Sequence, residues 1–182
     1  DQPRSRGLGD VYKRQVESEA ATALSMRLAA TFDADDAVGR LLTPVAKYWV
    51  CKRAPNMIYE AMEVLGGAGY VETGPMPRLF RQSPLNAIWE GSGNVIALDV
   101  LRAAGREPEA VEALRDWLAS QAGKSADYDR FIAGLDLTTN EAGARLAVER
   151  LALAAQAAAL LEMDSPSAEA FIALRLRPRG MA

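Results

Sequence analysis

Histidine is absent from this chain of 182 residues, and cysteine occurs once, at Cys51. Without histidine there can be no His-based zinc site and no Ser-His or Cys-His nucleophile arrangement, and no metal site is expected. A single cysteine cannot close an internal disulfide, so a reducing cytoplasm is the expected compartment. Aromatic residues are scarce at 7%, and β-branched residues are sparse beside alanine and leucine, a balance that favours helix over sheet. No apolar run approaches the length of a membrane span, and the opening stretch has no hydrophobic signal core, so no membrane role is expected. The formal net charge of −3 supplies no global attraction to nucleic acid or to an anionic membrane surface.

What remains is a chain with 49% apolar residues, long enough to bury a substantial core. The opening "DQPRSRGLGDVYKRQ" has no apolar period, and the regular helical pattern starts at Val16. Residues 1–15 are therefore expected to be foreign to the fold. The last residues, "RLRPRGMA", stop without a helix cap, so the chain is expected to be a fragment. Residues 16–33 read as an amphipathic helix with Ala20, Leu24, Leu28 and Ala29 on one face. A longer helical region spans 38–65, with Leu41, Leu42, Val45, Trp49, Ile58, Met62 and Leu65 as its apolar positions. Thr43-Pro44 suits a helix start there, Pro55 is expected to kink or split the region, and "GGAG" at 66–69 ends it. Residues 70–90 read as loop, because Pro75, Pro77 and Pro84 prevent any long element. Ser92 or Asn94 can cap a helix from Val95 to Ala104 that closes at Gly105. Helices follow at about 108–121, 127–135 and 140–163, and another begins near Pro166. The stretch "RLAVERLALAAQAAALLEM" is apolar almost all round and should be a buried central helix. No strand pattern survives, so the expected class is all-α. The helices at 16–33, 38–65 and 95–104 are expected to pack as an antiparallel group with the later ones stacked beside them.

Two stretches could carry chemistry. In "AMEVLGGAGY" (61–70) three glycines at a helix end allow close backbone approach to something bulky. A Rossmann reading fails, since the glycines follow a helix and not a strand. In "PRLFRQSPLNAIWEGSGN" (77–94), Arg78 and Arg81 precede a lone carboxylate, Glu90, on a flexible turn at the mouth of a helix. Glu90 could serve as a helix-dipole partner or as a general base. The amides and hydroxyl of Gly91-Ser92-Gly93-Asn94 suit an anion. A carboxylate beside an anion site points to a large ligand whose phosphate region lies apart from its reacting carbon. Cys51, Trp49 and Trp117 read as core or interface, and Lys47, Lys52 and Arg53 as a small solvated basic cluster.

Together, "EVLGGAGYVETGPMPRLFRQSPLNAIWEGSGNVIALDVLRA" (63–103) resembles the C-terminal helical domain of the flavin-dependent acyl-CoA dehydrogenases. With "CKRAPNMIYEAMEVLGG" upstream, the wording is most similar to the AidB-like branch linked to the bacterial adaptive response to alkylation. The resemblance covers about residues 16–175. It implies a partial acyl-CoA dehydrogenase helical domain at 16–105, followed by a C-terminal helical extension at 106–182. It implies FAD as cofactor, an acyl-CoA thioester as substrate, and a homo-oligomer, expected to be a tetramer. Glu90 matches the catalytic base, and Gly91 the residue beside the thioester. Ser92, Gly93 and Asn94 match positions that contact FAD within a subunit. Glu63, Val64, Leu65, Gly66 and Gly67 match the segment that reaches a neighbouring subunit's FAD. Two departures are visible: Glu63 stands where many relatives carry glutamine, and Ser92-Gly93-Asn94 replaces threonine-serine-glutamine. By this reading Glu90 removes the α-proton of the thioester, with Trp89 as an apolar wall, while the flavin takes the β-hydride. The parent is then a dehydrogenase, and this fragment alone is expected to be inactive.

The AidB-like branch also raises a different function, a DNA-binding protective flavoprotein with little dehydrogenase activity. Residues 106–182 hold nine Arg/Lys against twelve Asp/Glu, a poor electrostatic footprint for DNA, although Arg175, Arg177 and Arg179 could begin a basic patch. Removing residues 1–15 is expected to leave thermal stability unchanged within error, since terminal segments without docking residues carry little of it. Thermal melts of the two forms check this.

Overall fold

The computed structural model describes residues 2–177, with backbone alone over 2–10. Residue 1 and residues 178–182, including Arg179 of the anticipated basic patch, lie outside the described residues. Among the described residues there are helices and turns and no strand, so the class is all-α.

Helix α1 runs from Gln2 to Asp33, starting well upstream of Val16. Extending an existing helix costs far less than nucleating one, and interior glycines such as Gly7 and Gly9 weaken a helix by only ~1 kcal/mol each. Pro3 falls in the first turn, where its missing N–H is not needed. The apolar stripe nonetheless begins where the pattern does: Val16, Ala20, Ala23 and Leu24 are buried. Leu28 is half-buried and Ala29, expected on the same face, is exposed.

Helix α2, Gly39–Leu65, is unbroken and contains both Pro44 and Pro55. Neither the start at Thr43-Pro44 nor the split at Pro55 is realised. Each proline removes one helical hydrogen bond, and burial of Leu41, Leu42, Val45, Ala46, Tyr48 and Trp49 holds the first half together regardless. The second half leaves the core. Ile58 and Met62 are half-buried, and Leu65, expected as a core position, is 51% exposed. Gly66, at φ +59°, ends the helix.

Residues 70–90, expected as loop, instead hold short helical elements: after α3 at Gly67–Tyr70 come α4 at Met76–Gln82 and a 3-10 turn at Ser83–Ala87, with Pro77 and Pro84 in their first turns, where a proline needs no N–H partner. Helix α5, Gly93–Arg106, passes through Gly105 instead of closing there. Then come α6, Pro108–Ala119, and α7, Ala126–Ala133. A 3-10 turn at Glu141–Gly143 leads into α8, Ala144–Glu162, and α9 spans Ala168–Arg175.

Helix α8 is the axis of the bundle. Every residue from Leu151 to Leu161 is buried, and α8 touches α1, α2, α5, α6, α7 and α9. The later helices therefore do not simply stack beside the earlier group; one of them runs through its centre. A single apolar cluster joins Leu24, Leu41 and Val100 to Leu114, Leu151 and Phe171, across residue 105.

Polar ties fix the periphery. Buried Glu17 on α1 pairs with Arg175 at the end of α9 and lies 3.9 Å from Arg53 of α2. The Trp117 indole N–H donates to Glu162 at 2.9 Å, and the Arg27 guanidinium sits 5.1 Å over the Trp117 ring and 3.3 Å from Glu162. The Tyr128 hydroxyl donates to the Leu118 carbonyl at 2.7 Å, and burial pushes its pKa upward.

Because α8 is packed on all sides at its middle, Ala155→Leu should destabilise the protein by ~1–3 kcal/mol through overpacking. Leu146, 63% exposed on the same helix, offers the contrast: Leu146→Ala should stay within ~0.5 kcal/mol of the parent. Urea unfolding of both variants checks the pair.

Candidate functional site

Between the 3-10 turn and α5 the chain reverses sharply over residues 88–92. The amides of Ile88 and Trp89 both donate to the Leu85 carbonyl, at 2.9 and 3.1 Å. Glu90 then adopts φ +54° and Gly91 φ +107°. A non-glycine residue in the left-handed region costs roughly 1–2 kcal/mol, so something must hold it there. Two elements of α2 do. The Lys47 ammonium donates to the carbonyl of Trp89 at 2.8 Å and to that of Gly91 at 2.7 Å, one on each side of Glu90. The Tyr48 ring lies against Gly93, where a Cβ would stand 3.2 Å from Cε2. Gly91 is required twice over, by its φ and because a Cβ there would stand 3.0 Å from Ile96 Cγ1.

Glu90 is exposed and lines a cleft of about 1270 Å³ between the α1–α2 connection, the start of α2, and α5. Arg40, Lys47, Arg106 and Asp99 share its walls. At that size it exceeds the ~300–1,000 Å³ of common small-molecule pockets, and it is a groove that one end of a long ligand could enter.

The turn delivers the chain to the N-terminus of α5 at Ser92. Neither Ser92 nor Asn94 makes the side-chain cap expected of it. First-turn amides of an α-helix have no intrahelical partner, so at α5 they remain available, with the Ser92 and Asn94 side chains exposed beside them. Such an end suits an anionic group.

The other predicted patch lies elsewhere. Glu63, Val64, Leu65, Gly66 and Gly67 are all exposed at the far end of α2. Glu63 is sixteen residues beyond Lys47, or roughly 24 Å along the axis at 1.5 Å per residue. The Glu63 carboxylate hydrogen-bonds the Tyr59 hydroxyl and raises its pKa, and Tyr59 meets Phe80 with ring centroids 6.1 Å apart.

Several sequence expectations change on inspection. Trp89 is 55% exposed. Arg81 is taken up by Glu72 at 2.5 and 3.1 Å, while Arg78 is exposed. Lys47 and Arg53 do not belong to a solvated cluster, for Lys47 grips the Glu90 turn and Arg53 lies 5.8 Å from the Trp49 ring centroid. No sequence signal marked Lys47, because its partners are backbone carbonyls more than forty residues away. Cys51 is half-buried, and burial pushes its thiol pKa up, away from a reactive thiolate.

The chain is an all-α bundle that carries Glu90 on a strained glycine turn beside a helix N-terminus that no side chain caps. The chain belongs to the acyl-CoA dehydrogenase family: residues 10–105 match the acyl-CoA dehydrogenase C-terminal domain. That match begins inside the segment read as foreign, so residues 10–15 fall within it. The chain is 37% identical over 174 residues to AidB of Escherichia coli (strain K12), covering 91% of this chain and 32% of that protein. It is 42% identical over 91 residues to acyl-CoA dehydrogenase family member 11 of Caenorhabditis elegans, covering 49% of this chain and 15% of the relative. Among solved structures, Bd2924 in its apo form aligns with a TM-score of 0.73 at 28% identity, covering 88% of this chain and 33% of that one. Caenorhabditis elegans ACDH-11, solved in complex with C11-CoA, shares the fold with a TM-score of 0.75 at 23% identity, covering 90% of this chain and 34% of that one. The chain thus spans about a third of the length of AidB and of both solved chains.

Gly91→Ala should cost ~1–3 kcal/mol, from its left-handed backbone and the contact with Ile96. Gly105→Ala, at a helical position with open space around it, should instead stabilise by ~0.4–1 kcal/mol. Denaturant titrations of the two variants separate these signs.

Proposed function

We propose that the full-length protein is an FAD-dependent flavoenzyme that desaturates an acyl-CoA thioester between its α and β carbons, with Glu90 as the general base. The observation that carries this reading is the placement of Glu90. Its carboxylate stands on a turn whose strain is held by Lys47, at the edge of a groove and next to an uncapped helix end.

FAD fits the residues present, since the α5 N-terminus offers amides that no side chain caps. Ser92, Gly93 and Asn94 would hold it from within the subunit, and Glu63, Val64, Leu65, Gly66 and Gly67 would reach that of a neighbour. When bound, the flavin supplies the acceptor for the hydride leaving the β-carbon. Glu90 takes the α-proton, which requires its carboxylate to be ionised and close to that carbon. Gly91 lies beside the thioester, where its missing side chain leaves room. The ~24 Å between the two glycine patches along α2 supports assigning them to two cofactor sites, and hence a homo-oligomer, with a tetramer the expected form. Among the described residues no helix is long and apolar enough to cross a membrane, and a cytoplasmic protein is the companion proposal.

The DNA-protective alternative draws on the identity to AidB. Against it, the two described arginines of the anticipated basic patch are engaged within the chain, Arg175 with Glu17 and Arg177 with Asp127 at 2.5 Å. The dehydrogenase reading is therefore the stronger.

In the full-length protein, Glu90→Gln keeps size and hydrogen bonding while removing basicity. Anaerobic flavin bleaching by a panel of acyl-CoA thioesters should slow by at least ~10²-fold, the scale of losing general-base catalysis, with FAD content retained. Equal bleaching by wild type and variant would place the base elsewhere. A wild type that no thioester bleaches would favour the alternative.

A further inference from the structure

We infer that Lys47 is a positioning residue for Glu90, clasping the turn through its two flanking carbonyls; this rests on the general-base reading of Glu90. The two bonds, at 2.8 and 2.7 Å, place the Trp89 and Gly91 oxygens no more than about 5.5 Å apart. In an extended segment, carbonyls two residues apart are separated by ~6.6 Å at 3.3 Å per residue. A single ammonium therefore gathers them only when the chain folds back at the residue between, as it does with Glu90 at φ +54° and Gly91 at φ +107°. The clasp and the strained conformation are one feature.

The donor itself is well anchored. Lys47 sits on the buried half of α2, between Ala46 and Tyr48, which are 5% and 4% exposed. Its bonds are charge-assisted and so stronger than neutral ones. Both go to carbonyl oxygens, and among the described residues no ion pair joins Lys47 to the Glu90 carboxylate. The lysine thus fixes where the base stands without occupying it. Tyr48, one residue along, meets Gly93 on the far side of the turn, so consecutive residues of α2 brace the base and the start of the anion-binding helix end.

The test uses the full-length, FAD-loaded protein. Lys47→Met keeps the aliphatic stem and removes the donors, while Lys47→Arg keeps charge and donors. Hydrogen exchange read by mass spectrometry should rise ~10-fold for the peptide spanning 88–94 in Lys47→Met, with peptides of α8 unchanged. Flavin reduction by acyl-CoA should fall ~10–100-fold with FAD content held, and Lys47→Arg should recover part of the loss. Added to Glu90→Gln, Lys47→Met should cause no further loss, because a residue acting only through the base has nothing left to position. Unchanged exchange at 88–94, or losses that multiply in the double variant, would overturn the inference. If Glu90→Gln alone reduces flavin as fast as wild type, the general-base reading fails and the catalytic role of Lys47 falls with it; raised exchange in Lys47→Met would then mark a purely structural clasp. Should Lys47→Met not fold, Lys47→Leu, which also lacks any donor, carries the same expectations.

Discussion

Leu151 to Leu161 form three helical turns in which Gln156 is the sole polar residue, and every position is buried. Such a segment has no face to offer water, so it must be surrounded. Its alanines let the neighbouring helices come close, and α1, α2 and α5 all lie against it. That arrangement sets α2 and α5 side by side, with the connection between them looping out and returning. The turn at Glu90 is the end of that return. Its position over Lys47 and Tyr48 thus follows from an apolar helix more than fifty residues further along the chain.

Strain at one residue is meaningful only when its surroundings over-determine it. Glu90 satisfies that condition through groups that all trace to the same packing. Lys47 holds the carbonyls, Ile96 fills the space beside Gly91, and Tyr48 fills the space beside Gly93. Asp35 and Asp164 also adopt positive φ, at +51° and +49°. Both stand in helix-to-helix turns, after α1 and after α8, where a left-handed residue simply ends a helix. At Glu90 the same conformation precedes a helix, in a residue that lines the cleft.

The helical class, most helix spans and the central burial of α8 were legible because they depend on local periodicity and composition. The unbroken course of α2 through Pro44 was not, because local propensity there is overridden by tertiary burial that a sequence window does not contain. The start of α1 was misplaced for the related reason that helices propagate past the point where their apolar stripe stops. Glu90 and the two glycine patches stood out through the wording of their motifs. Lys47 could not stand out at all. A lysine bonded to distant backbone oxygens leaves no trace in side-chain spacing, and three basic residues near one another read as a solvated face.

Helix α2 joins these observations along its length. Its first half is core, with six residues buried, and supplies the rigid platform under Glu90. Its second half emerges, ending in Tyr59, Val64 and Leu65, with Tyr70 and Val71 beyond, all between 46% and 77% exposed. Large apolar side chains gathered at one end of a bundle are an unfavourable surface for an isolated chain. They are expected where further polypeptide packs, and this chain spans only about a third of the length of AidB and of its structural relatives. The same emergence that exposes Leu65 carries Glu63 to Gly67 away from the Glu90 turn. Helix α2 is thus buried at one end, beneath the Glu90 turn, and bare at the other, where Glu63 to Gly67 are exposed. Pro44 lies within the buried half and does not interrupt that platform, because the six buried side chains around it stay in place.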